Sequence, residues 1–177
     1  AGGDNRTILV QMPAAVGIAI LSPRFNWRLH SEPEPHLDGR TIYTPRGRGL
    51  GGSSSINGMI YIRGHARDYD RWAFQEGCPG WSYDEVLPYF RRAEDHEAGA
   101  DAWHGVGGPL HVCAGTRHLH NPLYDAFIAA GVAAGYPATA DVNGARQEGF
   151  GRFEMNVKNG RRWSTANDHL RPARRRS

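Results

Sequence analysis

Apolar and polar positions follow two different periods along this chain, and the two kinds of stretch are set apart by glycine and proline. Leu123, Phe127, Ala130 and Ala134 recur at i, i+4, i+7 and i+11, which predicts a helix with one apolar, buried face. Asn121 stands as its N-cap, Pro122 occupies the first helical position, and Gly135 ends it. A second helical stretch covers residues 68–76. It is acidic at its start, as the helix dipole favours, and Gly77 stops it. Ser82 precedes Glu85 by three residues, a capping box for a third helix carrying Val86, Leu87, Tyr89, Phe90 and Ala93. Pro88 should kink that helix or delay its start.

The other period is two. Phe153, Met155 and Val157 alternate with polar residues, which predicts a strand that buries those three side chains. Asn159-Gly160 is a tight-turn signal, and Arg161, Arg162 and Trp163 begin the returning arm. Ser164 is placed to cap a last helix through Leu170, ahead of Pro172. Residues 109–112 read as a short strand. Residues 1–46 are punctuated by Pro and Gly and read as extended loops and short turns, with Phe25-Asn26-Trp27 as a core aromatic cluster.

Composition narrows this picture only slightly. Of 177 residues, 40% are apolar and 22% charged, ordinary for a globular protein. The net charge of +3 is locally concentrated: Arg161, Arg162, Arg171, Arg174, Arg175 and Arg176 crowd the C-terminal region. These arginines read as a solvated helix end; the alternative is a basic nucleic-acid-binding module, which lacks interleaved aromatics apart from Trp163. Cys78 and Cys113 are too few for a disulfide framework and favour a reducing compartment. Val16–Leu21 is too short to span a bilayer and lacks the layout of a signal peptide.

One stretch carries the chemistry. Residues 47–64 hold four glycines in six positions, then three serines and an asparagine, before a short apolar run. Glycines let a backbone bend sharply and approach a ligand closely. No Lys follows them, so a P-loop is excluded. Gly47, Gly49 and Gly52 match a dinucleotide fingerprint literally, but no buried strand leads into them, and Pro45-Arg46 intervenes.

The longer string resembles the first signature of the glucose–methanol–choline (GMC) oxidoreductases. It fits at Gly47, Arg48, Leu50, Gly51, Gly52, Ser53, Ser54, Ile56, Asn57, Tyr61, Gly64 and Asp70. Gln11-Met12-Pro13-Ala14-Ala15, Phe25-Asn26-Trp27, Glu32-Pro33-Glu34-Pro35-His36, Gly135-Tyr136-Pro137, Asp141-Val142-Asn143-Gly144, residues 147–151 and Arg162-Trp163-Ser164 extend the likeness in register, closest to the choline-oxidising branch. The resemblance implies a mixed α/β (α+β) fold, a partial FAD-binding domain with part of a substrate-binding domain. The expected boundaries are 1–90 for the first part of the FAD-binding domain, 91–160 for the substrate-binding part, and 161–177 for the return.

It further implies FAD held by Arg48, Gly49, Gly51, Gly52, Ser53, Asn57, Gly58, Met59 and Ile60. Some family members attach FAD through a His just before the signature Asn; this chain has Ile56 there, so the cofactor is expected to be non-covalent. The implied reaction is oxidation of a primary alcohol, choline to betaine aldehyde, by hydride transfer to flavin, with electrons leaving to a quinone or another acceptor. The implied location is cytoplasmic or peripheral at the inner membrane. The chain opens on Ala1-Gly2-Gly3 and carries no residue matching the family's catalytic base. It is therefore expected to be a fragment. It should lack the upstream fingerprint, the Glu that holds the FAD ribose and the catalytic half, and be inactive alone.

Three other clusters compete for attention. His111, Cys113, His118 and His120 could hold zinc, yet no second cysteine pair completes a familiar pattern, so ordinary surface and core roles are preferred. Asp68, Asp70, Glu94, Asp95 and Glu97 lie near helix ends among arginines and read as a solvated face. Trp27, Trp72, Trp81, Trp103 and Trp163 read as core or interface anchors, with the wall of a quaternary-ammonium site as the alternative.

Overall fold

Short elements joined by tight turns make up the chain, as its glycine and proline spacing dictates. The computed structural model describes residues 2–115 and 121–176. In chain order the helices are α1 (Ile8–Gln11), α2 (Val16–Leu21), α3 (Ala66–Phe74), α4 (Tyr83–Ala93), α5 (Pro122–Ala133) and α6 (Arg171–Ala173). The strands are β1 (Leu29–His30), β2 (Tyr43–Thr44), β3 (Ile60–Tyr61), β4 (Glu94–His96), β5 (Leu110–Val112), β6 (Glu154–Met155), β7 (Val157–Lys158) and β8 (Arg161–Arg162). The architecture is mixed helix and strand. The β4–β5 pair is parallel, as is the isolated bridge between Ala138 and Phe150; β1–β2, β3–β6 and β7–β8 are antiparallel.

The chain divides into two compact units, Ala1–Met59 with Val157–Ser177, and Ile60–Asn156. These units change over after Met59 and after Asn156, whereas the family resemblance implies FAD-binding and substrate-binding parts that meet at 90/91 and 160/161. In the first unit, Val10, Ala19, Phe25 and Ile56 form a small core, flanked by Leu9 and Ile20. The β7–β8 hairpin turns through Asn159 and Gly160 at φ +51° and +70°. This is the left-handed pair that a two-residue hairpin turn requires. In the second unit, β4 pairs with β5, and β3 pairs with β6, which Cys113 bridges through Met155.

Several sequence expectations hold in detail. Asn121 Oδ1 accepts from Leu123 N–H at 3.0 Å, capping α5. The α4 capping box forms, with Ser82 N–H donating to Glu85 Oε2 at 3.1 Å.

Others fail for identifiable reasons. Pro88 lies inside α4 and does not delay its start. The last helix passes Pro172: a π turn, Ala166–Leu170, runs directly into α6. Leu123 and Phe127, expected to be buried, are 73% and 66% exposed. The buried residue of α5 is Gly131, against the Phe150 ring where a Cβ would collide. Because α5 is apolar nearly all round, its periodicity could not identify the docking side. Along residues 153–157 the buried side chain is Glu154, whose carboxylate meets His96 and Asn143; Phe153, just before β6, is exposed, and Met155 and Val157 are half-buried. Trp27 stands half exposed beside the buried Phe25 and Asn26, and Trp72 and Trp81 are also exposed.

Candidate cofactor site

The glycine-rich stretch folds as a tight loop containing a single 3-10 turn, Gly52–Ser55. Its glycines have unlike tasks. A Cβ on Gly47 would run into the Gly52 carbonyl, and one on Gly51 would meet Ser55 Oγ at 2.7 Å and Ala166 Cβ at 3.2 Å. These two are needed for the loop's own packing. Gly52, at φ +53°, and Gly58 are different: a Cβ on either would project into open space. The loop is thus packed at Gly47 and Gly51 and open at Gly52 and Gly58, and open glycine backbone is what a closely approaching flat ligand requires.

The expected site residues distribute as follows. Gly49 lies beside the Gly3 carbonyl, and the Arg48 guanidinium covers the Trp27 ring at 5.0 Å. Ser53 Oγ accepts from Gly47 N–H at 3.1 Å, which closes the loop on itself. Asn57 and Gly58 are exposed and Met59 is buried. All of these belong to the first unit, whereas Ile60 opens β3 in the second. Ile56 points into the core with Val10 and Phe25.

What holds the loop is a residue that sequence reading assigned to a solvated basic tail. Arg162, on β8, is 2% exposed. Its Nε donates to Val10 O at 2.9 Å, and its Nη1 to Ser54 O at 3.2 Å, Asn57 O at 2.7 Å and Asn57 Oδ1 at 2.8 Å. No carboxylate pairs with it among the described residues, and Nη2 has no partner. Burial alone pulls its pKa down to about 10. The guanidinium fork suits several carbonyls at once, which a lysine could not match. From the other side, buried Asn5 donates to Ser55 Oγ at 2.7 Å and Ser164 Oγ at 3.2 Å. Ser54 Oγ and Thr165 Oγ1 lie 2.9 Å apart. The motif's serines thus anchor the loop to the chain's last segment. Two sequence signals set Arg162 apart from the other arginines of that region, its place on the arm after the Asn159-Gly160 turn and its position in the family-like Arg162-Trp163-Ser164 string, but neither marks it as buried.

The second unit is built on a buried ionic network. Glu94, expected on a solvated face, is fully buried. Arg63 Nη2 and Gly105 N–H donate to its Oε2 at 3.0 and 2.9 Å, and His104 Nδ1 lies 3.2 Å away. Burial works to raise the Glu94 pKa, but the His104 and Gly105 bonds and the Arg63 charge hold it below the usual carboxylate value. His104 Nε2 contacts Asp141 Oδ2 at 3.0 Å. Burial opposes its charge, but the bonds to Asp141 and Glu94 raise its pKa to about 10, so both ring nitrogens carry protons at neutral pH. His96 Nε2 contacts Glu154 Oε1 at 2.8 Å, and Asn143 Nδ2 donates to Glu154 Oε2 at 3.2 Å.

Glu94, His96 and His104 could geometrically surround a metal ion. The Glu94, Asp141 and Glu154 oxygens already face donors, and a charged imidazole occupies the centre, so the cluster is complete as an ion network. Of the zinc cluster considered above, His111 Nδ1 contacts Asp95 Oδ2 at 3.0 Å and Cys113 is a free thiol. His118 and His120 lie outside the described residues.

Residues 7–177 match the family model described as GMC oxidoreductase. The chain belongs to the GMC oxidoreductase family. Among curated GMC relatives, it is 52% identical over 168 residues to the oxygen-dependent choline dehydrogenase of Brucella anthropi, covering 95% of this chain and 30% of that one. It is also 52% identical over 177 residues to the Vibrio vulnificus protein of the same name, covering 100% and 31%. The chain therefore spans about a third of the length of these relatives. Among solved structures, pyridoxine 4-oxidase from Mesorbium loti superposes with a TM-score of 0.89 at 35% identity, covering 99% of this chain and 34% of that one. An FAD-dependent oxidoreductase from Chaetomium thermophilum gives 0.84 at 26% identity, covering 99% and 32%.

Proposed function

We propose that this chain forms part of an FAD-dependent alcohol dehydrogenase that oxidises choline to betaine aldehyde, with Arg48, Gly49, Gly51, Gly52, Ser53, Asn57, Gly58 and Met59 of the loop contributing to the flavin surface. The observation that carries the reading is the 52% identity to oxygen-dependent choline dehydrogenases along the whole chain. The loop supports it, because the open backbone at Gly52 and at Gly58 leaves room for a closely approaching ring system.

When bound, FAD supplies the redox chemistry by accepting a hydride from the alcohol carbon. This chain's residues bind and orient. Gly52 and Gly58 admit the ring, Asn57 and Ser53 offer exposed polar groups, and Arg162 and Asn5 keep the loop's shape. Ile56 is an aliphatic side chain turned into the core and forms no bond to a cofactor, which supports non-covalent FAD. The catalytic base is assigned to no residue of this chain. The acceptor is a quinone or oxygen, and the location is cytoplasmic or peripheral at the inner membrane; no helix among the described residues is long and apolar enough to cross one.

The test is to purify the full-length protein and add choline without oxygen. A yellow, flavin-containing protein whose visible absorbance bleaches on adding choline supports the reading. A protein without flavin, or with flavin that choline leaves oxidised, overturns it.

A further inference from the structure

Basic residues of the C-terminal region converge on one place in the first unit. An open cleft of about 410 Å³ is lined by Lys158, Arg161, Arg162 and Arg171, and no acidic residue lines it. The rest of its wall is amide side chains and the Trp163 ring. Four positive charges thus meet in one cleft of a chain whose net charge is only +3.

This charge is balanced only in part. Arg162 is 2% exposed, its Nη2 has no hydrogen-bond partner, and burial pulls its pKa down to about 10. Buried cations are ordinarily paired, and like charges gathered in a cleft focus a field that draws anions. Arg171 Nη2 donates to Asn5 Oδ1 at 2.7 Å and lies 3.4 Å from Asp4 Oδ1, so its charge is countered on one side. The Lys158 ammonium lies 5.3 Å from the centre of the Trp163 ring, and Arg161 is exposed.

We propose that this cleft binds a phosphate-type anion, carried either by a free phosphate compound or by a lipid headgroup. A phosphate group presents several acceptor oxygens to converging guanidinium and ammonium donors, where a carboxylate presents only a planar pair. Lys158, Arg161 and Arg171 supply the donors. Arg162, buried and held by the Val10, Ser54 and Asn57 carbonyls, supplies a fixed charge. None of the four is among the residues expected to touch FAD, so the cleft stands apart from the cofactor reading.

The test titrates the full-length protein with sodium pyrophosphate by calorimetry, and sediments it with vesicles of phosphatidylglycerol or of phosphatidylcholine, at ionic strength fixed with sodium chloride. Saturable binding of pyrophosphate without retention on vesicles assigns the site to a free phosphate compound. Retention on phosphatidylglycerol but not on phosphatidylcholine assigns it to a lipid headgroup. Arg161→Glu should weaken whichever binding is seen by about tenfold or more. Arg175→Glu, the same charge change at an exposed position outside the cleft, should leave it within about twofold. Lys158→Gln should weaken it in the same direction as Arg161→Glu, and unchanged affinity there would remove Lys158 from the site. Binding of neither probe, equal weakening in Arg161→Glu and Arg175→Glu, or release of bound FAD by pyrophosphate would overturn the assignment.

Discussion

Arg162 Nη1 lies 2.7 Å from the backbone carbonyl of Asn57, a residue 105 positions away along the chain. That single contact ties the return segment of the first unit to the outer end of the signature loop. Removing the guanidinium would leave the Val10, Ser54 and Asn57 carbonyls without their donors. Arg162→Met is therefore expected to cost about 3 kcal/mol or more, the scale for breaking a buried charged network. Arg175→Gln, on an exposed position of the same basic region, should change stability by about 0.5 kcal/mol or less. Urea unfolding of the two variants checks the contrast; equal losses would contradict it.

The glycines of the loop should also separate. Gly47→Ala forces a Cβ into the Gly52 carbonyl and is expected to destabilise by about 1–3 kcal/mol. Gly52→Val meets no neighbour but places a branched residue at φ +53°, a strain of about 1–2 kcal/mol. Thermal unfolding of the apoprotein should rank Gly47→Ala at or above Gly52→Val in damage, while flavin content should fall in both.

The second unit should carry a pH signature. His104 is raised to about 10, so it binds its proton more tightly in the folded state. Its contribution is complete below the unfolded histidine pKa, about 6.5, and is lost as pH rises from there toward 10. Glu94 is held low and acts in the opposite direction: its contribution is present above the unfolded carboxylate pKa and is lost as pH falls into the acid range. Melting temperature should decline from neutral pH toward 10, and His104→Gln should flatten that decline while lowering stability by about 3–5 kcal/mol. A profile unchanged by His104→Gln would rule out this role.

A smaller test concerns α4. Ser82→Ala removes one half of the reciprocal cap with Glu85 and should cost about 1 kcal/mol. Glu85→Gln keeps a side-chain acceptor for Ser82 N–H and should cost less. The reverse order, measured by denaturant unfolding, would contradict the capping assignment.

Local rules were legible in the sequence wherever the physics is local. The Asn121 cap, the Ser82–Glu85 box and the Asn159-Gly160 turn all depend on residues within four positions of one another, and all form. The signature loop was legible because its glycines mark close-packed backbone at Gly47 and left-handed backbone at Gly49, Gly51 and Gly52. Burial of charge was not legible. Arg162, Glu94 and Glu154 sit inside because partners from distant segments satisfy them, and a side chain's own polarity predicts the opposite. The wrong face of α5 has the same origin, since a helix apolar all round is oriented only by what it meets, here Phe150 against Gly131.

The central claim is that the open backbone of the loop lies against flavin, and flavin content of Gly58→Val measures it most directly. Gly58 is exposed, and a Cβ there meets nothing in this chain. The control is Gly17→Val in α2, likewise exposed and open but outside the signature loop. With melting temperatures of the two apoproteins matched to wild type within about 3 °C, Gly58→Val should lose about nine-tenths of its FAD, a tenfold effect. Gly17→Val should keep a full complement. Full flavin in Gly58→Val would contradict the account.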